Sequence, residues 1–147
     1  MELSEDLNYI NYINQFADRK YESALVALEK CLENASGDHV KKSFILGLIA
    51  DVYFHDGKIE KCFEYFSMSE VADTESLQPK LFFAKFLANK LKNYDSAVKK
   101  CEEIVRLATQ SPSVKTDDDF GSDYYISKAE EIRSFCLRKI AEEDGGK

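Results

Sequence analysis

LGLIADVYFHDGKIEKCFEYFSMS, residues Leu46 to Ser69, decides the fold, because it reads as two helices folded back on each other across a four-residue turn. Before the turn, Leu46, Ile49, Ala50, Tyr53 and Phe54 recur at spacings of three and four, which sets them on one face of a helix. After it, Ile59, Cys62, Phe63, Phe66 and Ser69 do the same on a second helix. The turn is His55-Asp56-Gly57-Lys58, and Gly57 suits the position just past the first helix, where positive φ closes off the last carbonyls. The stretch predicts a helical hairpin.

Composition agrees with an all-α class. The chain has 147 residues, 44% hydrophobic and 32% charged, enough for one domain with a core and too few for two ordinary ones. Two prolines and six glycines leave long uninterrupted segments that favour helix over a turn-rich β fold. No apolar run approaches the roughly 18 to 20 residues needed to span a bilayer, and the start MELSEDLNY is acidic where a signal peptide is basic. A cytoplasmic protein without membrane insertion is expected. With a net charge of −7, the chain has no basic stripe for a phosphate backbone, so nucleic acid is not an expected partner. Cys31, Cys62, Cys101 and Cys136 are widely spaced with no CxxC, which predicts four reduced, buried thiols rather than a disulfide framework or a zinc site.

Outward from the central hairpin, the pattern repeats. Ser4 is the expected cap of a first helix running to Asp18, and YESALVALEKCLEN carries Tyr21, Ala24, Leu25, Leu28, Cys31 and Leu32 on one stripe. Asp38 is the expected cap of the third helix, which ends at His55, and Lys58 to about Val71 is the fourth. Leu77 to Leu91 is the fifth, with Pro79 tolerable in its first turn. Tyr94 to Thr109 is the sixth, and Asp123 to Glu142 the seventh, after an acidic loop over 111–122. The second helices of the pairs align: Tyr21, Ile59 and Tyr94 share one column, and Ala24, Cys62 and Ala97 the next small one. The column offsets, 59−21 = 38 and 94−59 = 35, are the period of a two-helix solenoid unit.

On these residues the chain resembles the tetratricopeptide repeat family. The middle repeat matches with Leu46, Ile49, Ala50, Tyr53, Gly57, Ile59, Cys62, Phe66 and Ser69. The third matches with Leu81, Ala84, Ala88, Leu91, Tyr94, Ala97 and Cys101, but has Lys85 where a small residue is usual and Lys92 where glycine is. The first matches only in its second helix. The resemblance implies a single domain over 1–147, a right-handed superhelix of three hairpins at about 4–36, 38–73 and 76–110, closed by a capping helix over 123–143. It also places Cys31 and Cys62 in small columns and Cys101 in a buried aromatic one.

The resemblance further implies a concave groove lined by the first helix of each pair: Tyr9, Ile13 and Phe16, with Asp6; Phe44, Leu48, Asp51, Phe54 and His55; and Phe82, Phe83, Phe86, Asn89 and Lys90. A one-residue error in register would instead make several of these phenylalanines core. If open, the groove would take an apolar peptide or an amphipathic helix from another protein. The family members that clamp a C-terminal carboxylate use basic and amide side chains at positions that hold Tyr9, Ile13, Gly47, Leu48, Pro79 and Phe83 here, which argues against acidic chaperone tails.

Catalytic signals are lacking. His39 and His55 stand in no metal-gathering spacing, no GxGxxG, GxxxxGK[ST] or GxSxG occurs, and the glutamate pairs fall on helix surfaces. No cofactor is expected. Ser111-Pro112 and Thr116 are weak kinase motifs in a solvated loop. The expected function is a non-enzymatic adaptor that binds a partner protein. The alternative is an acidic inhibitor or immunity-type protein that neutralises a basic toxin or enzyme. Another copy of the chain could equally fill the groove.

Overall fold

The computed structural model describes residues 3–110 and 121–145. Seven α-helices account for nearly all of them: α1 (Leu7–Ala17), α2 (Tyr21–Asn34), α3 (His39–His55), α4 (Ile59–Ala72), α5 (Leu77–Asn89), α6 (Tyr94–Gln110) and α7 (Ser122–Gly145). No strand occurs among the described residues, and the all-α class and helix boundaries follow the expected pattern. The loop that carries Ser111, Pro112 and Thr116 lies outside the described residues.

The chain divides into two compact units, Met1–Thr74 and Glu75–Lys147. In the first, α1 packs on α2, α2 on α3 and α3 on α4. The core of the second helices follows the expected stripe: Ala24, Leu28 and Cys31 on α2, and Cys62, Phe66 and Ser69 on α4, are all buried. Phe63, expected on that stripe, lies exposed, one position round the helix from Cys62. A reciprocal clasp joins α3 to α4. The Ser43 hydroxyl donates to the Ser69 carbonyl and the Ser69 hydroxyl to the Ser43 carbonyl, each at 2.8 Å. Both serines are buried, so each hydroxyl satisfies itself where water is excluded.

In the second unit α5 packs on α6, and α7 packs on both. Leu77, Leu81 and Ala84 of α5, Cys101, Ile104 and Ala108 of α6, and Tyr125 and Ala129 of α7 form one buried cluster. Ala97, Cys101 and Ile104 reproduce on α6 the spacing of Ala24, Leu28 and Cys31 on α2.

The caps are partly as expected. Asp38 accepts from the Lys41 amide at 3.0 Å and opens α3. The cap of α1 is Asp6, which accepts from the Asn8 amide at 2.8 Å, rather than Ser4; residues 3–5 form a 3-10 turn first, which shifts the start of the α-helix past Ser4.

The backbone repeats as well as the side chains. Two residues before each second helix the chain takes the left-handed region: Arg19 at φ 60°, Gly57 at 77° and Lys92 at 54°. At Gly57 the Lys58 amide reaches the Tyr53 carbonyl at 2.9 Å and the Gly57 amide the Phe54 carbonyl at 3.2 Å, a Schellman closure of α3. The Arg19 turn closes α1 the same way, with Lys20 to Gln15 at 2.8 Å and Arg19 to Phe16 at 2.9 Å. A side chain in this region is strained by about 1–2 kcal/mol. Lys92→Gly is therefore expected to stabilise the protein by about 0.5–1 kcal/mol after the extra chain entropy of glycine is subtracted, and Gly57→Ala to destabilise it by about 1 kcal/mol. A Cβ at Gly57 would meet nothing within 4 Å, so its cost is purely conformational. Urea midpoints for the two variants moving in opposite directions check this.

Candidate binding face

The first unit brings the aromatic residues of α1, the start of α2 and the end of α3 onto one face. On α1, Tyr9, Tyr12 and Phe16 lie one turn apart, and their rings touch in sequence, Tyr9 to Tyr12 at 5.7 Å and Tyr12 to Phe16 at 5.8 Å between centroids. Phe16 then meets two rings edge-on, Tyr21 at 6.0 Å and His55 at 5.1 Å. His55 in turn meets Phe54 at 5.3 Å. The edge-to-face contacts of Phe16 with Tyr12, Tyr21 and His55, and of His55 with Phe54, suit the ring quadrupoles.

A polar notch sits at the end of this chain of rings. His55 Nδ1 lies 3.1 Å from the Asp51 carbonyl and 3.7 Å from Asp51 Oδ1, one helical turn back. Tyr12 is the buried member, and burial, with Asp51 and Tyr9 adding to it, pushes its phenol well above the usual range. Tyr9, Phe16 and Phe54 are half-buried and His55 and Ile13 exposed, which leaves an apolar surface with a carboxylate and an imidazole at its edge.

Of the residues expected to line a groove, Asp51, Phe54 and His55 thus join Tyr9 and Phe16 on this face, and Ile13 lies beside it. Asp6 is buried as the cap of α1. Phe44 and Leu48 are a correction: both are buried. They stand two turns and one turn before Asp51 on the stripe of α3 that carries Asp51 and His55, but every residue from Ser43 to Ala50 is buried, so the N-terminal half of that stripe has no open side. Phe83 and Phe86 are corrected in the same way. Within the second unit both belong to the core side of α5, where their rings lie 6.4 Å apart and Lys100 Nζ stands 5.2 Å over Phe83. On the same helix Phe82 is half-buried under Lys85 Nζ at 5.8 Å, and Asn89 and Lys90 are exposed.

Tyr12 and Tyr21 were absent from the expected lining. Tyr12 shares the i, i+4 spacing of Phe16, so its place in the ring chain was legible; Tyr21 joins through a turn, which spacing along one helix does not reveal.

The thiols have the character expected of core residues. Burial pushes the Cys31 thiol up to about 11 and the Cys62 and Cys101 thiols up to about 12, and raises Cys136. All four are unbridged, and burial disfavours their thiolate form. Among the described residues no three His, Cys, Asp or Glu side chains gather in a way that could hold a metal ion, and no helix is long and apolar enough to cross a membrane.

No protein-family model, no curated protein and no solved structure matches the chain.

Proposed function

We propose that the protein is a non-enzymatic binding module of tetratricopeptide type whose aromatic face on α1 and α3 docks an apolar peptide or amphipathic helix of a partner protein. The observation that supports it most directly is the chain of rings from Tyr9 through Phe16 and His55 to Phe54, half-open and edged by Asp51. Such a surface offers rigid apolar contacts for a partner's large side chains and one acceptor for a polar group among them.

Selection from a displayed peptide library, followed by calorimetry, tests the reading. Peptides with two or more large apolar residues at helical or extended spacing are expected. Phe16→Ala and Phe54→Ala should each weaken their binding about tenfold or more, the loss of a hot-spot residue. A library that returns no binder, or binders indifferent to both substitutions, sinks the proposal. Net charge is the support for the inhibitor reading, so basic binders that ignore both substitutions and dissociate at high salt would move the assignment there.

A further inference from the structure

Helix α1, LNYINYINQFA, contains no charged residue in a chain that is 32% charged. Its ring-bearing side faces α2 and α3. At about 100° per residue, the side turned away from the rings carries Leu7, Ile10, Asn14 and Ala17 as one stripe, with Ile13 on its border with the ring-bearing side. That stripe is open: Leu7 is 79%, Ile10 43% and Ile13 47% exposed, and Asn14 and Ala17 are exposed too. The helix's two ends carry opposite charge. Glu5 precedes it, and Arg19 and Lys20 follow it, all three exposed and with no ion pair among the described residues. Over residues 18–20 Asp18 offsets one of the two cations and leaves +1, with the next acidic residue, Glu22, one position inside α2.

We propose that this stripe is a homodimer interface, in which α1 packs antiparallel against α1 of a second copy about a two-fold axis beside position 12. Antiparallel pairing is what the charges select, because it sets each acidic entry against the other copy's basic exit, whereas a parallel pair would oppose like charges. The same axis sets Leu7 opposite the second copy's Ala17 and Ile10 opposite its Asn14. The most exposed apolar side chain of the stripe thus meets its smallest, and Ile10 a neutral amide, so no charge is buried. A basic or acidic partner helix would leave the uncharged centre of the stripe unmatched; a second α1 matches it along its length.

Sedimentation velocity of the full chain under reductant, over a range of concentrations, tests this. The wild type is expected to dimerise reversibly, and Ile10→Arg to raise the dimer dissociation constant at least a hundredfold with unchanged helical circular dichroism. Glu5→Lys and Lys20→Glu should each weaken self-association, while an equimolar mixture of the two should dimerise about as well as wild type, since the mixed dimer regains both opposite-charge pairs. This mixing result does not depend on the behaviour of Ile10→Arg. A wild type that stays monomeric to about 1 mM overturns the proposal, as does a dimer indifferent to Ile10→Arg or a mixture no stronger than its components.

Discussion

Phe66→Ala is expected to cost about 3–5 kcal/mol, a large share of the roughly 5–15 kcal/mol that holds a domain of this size together. Phe66 is 2% exposed on α4 and stands between Cys62 and Ser69 on the buried stripe. Its column is filled by Leu28 on α2 and Cys101 on α6, so it is the largest side chain to occupy that place in any of the three hairpins. Truncation removes the apolar transfer term and leaves a cavity that Cys62 and Ser69 are too small to fill. The clasp of Ser43 and Ser69 also resists collapse, because drawing α3 and α4 together would distort two hydrogen bonds at 2.8 Å. Phe66→Leu, which keeps most of the volume, is expected to cost less than about 1.5 kcal/mol. Urea unfolding followed by circular dichroism distinguishes the two. A loss below about 1 kcal/mol for Phe66→Ala would mean that the site is not packed as described.

How far such positions were legible depended on contrast around each helix. On α2, α4 and α6 apolar and charged residues take opposite faces, as in YDSAVKKCEEIVRLAT, so the spacing picks out Ala97, Cys101, Ile104 and Ala108 directly. On α3 and α5 the runs FILGLIA and LFFAKFLA are apolar almost all round, and a periodicity argument has no polar side to set its phase. That is why Phe44, Leu48, Phe83 and Phe86 were expected in a groove and are core instead. The left-handed turns were legible from the residue itself only at Gly57 and, through the family pattern, at Lys92, which stands where glycine is usual; Arg19 reaches the same backbone region without any residue that announces it. For the binding face, the residues of α1 and the end of α3 were named from spacing, but the edge-on meeting of Phe16 with His55 joins two helices distant in sequence, which no local pattern carries.

The buried ion pair of the second unit is of the same long-range kind, and it leads to the other large expected effect. Lys80, in the first turn of α5, is 2% exposed, and its Nζ lies 3.1 Å from Glu103 Oε1 on α6. The other carboxylate oxygen, Oε2, lies 3.6 Å from Lys100 Nζ. Burial pushes the Glu103 carboxyl up, but the charge and hydrogen bond of Lys80, with Lys100 and Arg106, outweigh it and hold the group below its ordinary range. Because the folded-state value is the lower one, the stabilisation is present above the ordinary glutamate range and is lost as pH falls through the depressed value. Glu103→Ala leaves an ammonium buried with its main counter-charge gone and is expected to cost about 3 kcal/mol, the low end of the range for breaking a buried pair because the carboxylate is partly open to water. Lys80→Met removes the charge that must be compensated and fills the same space with an apolar chain, so it should be near neutral or stabilising, and the double variant should recover most of the loss of Glu103→Ala. Urea midpoints of the two single variants and the double variant, measured at neutral pH and down through the acid range until the wild type unfolds, read out both statements. The cost of Glu103→Ala should shrink at lower pH as wild-type Glu103 protonates. A pH-independent cost, or a Lys80→Met loss as large as that of Glu103→Ala, would show that Lys80 acts by packing alone.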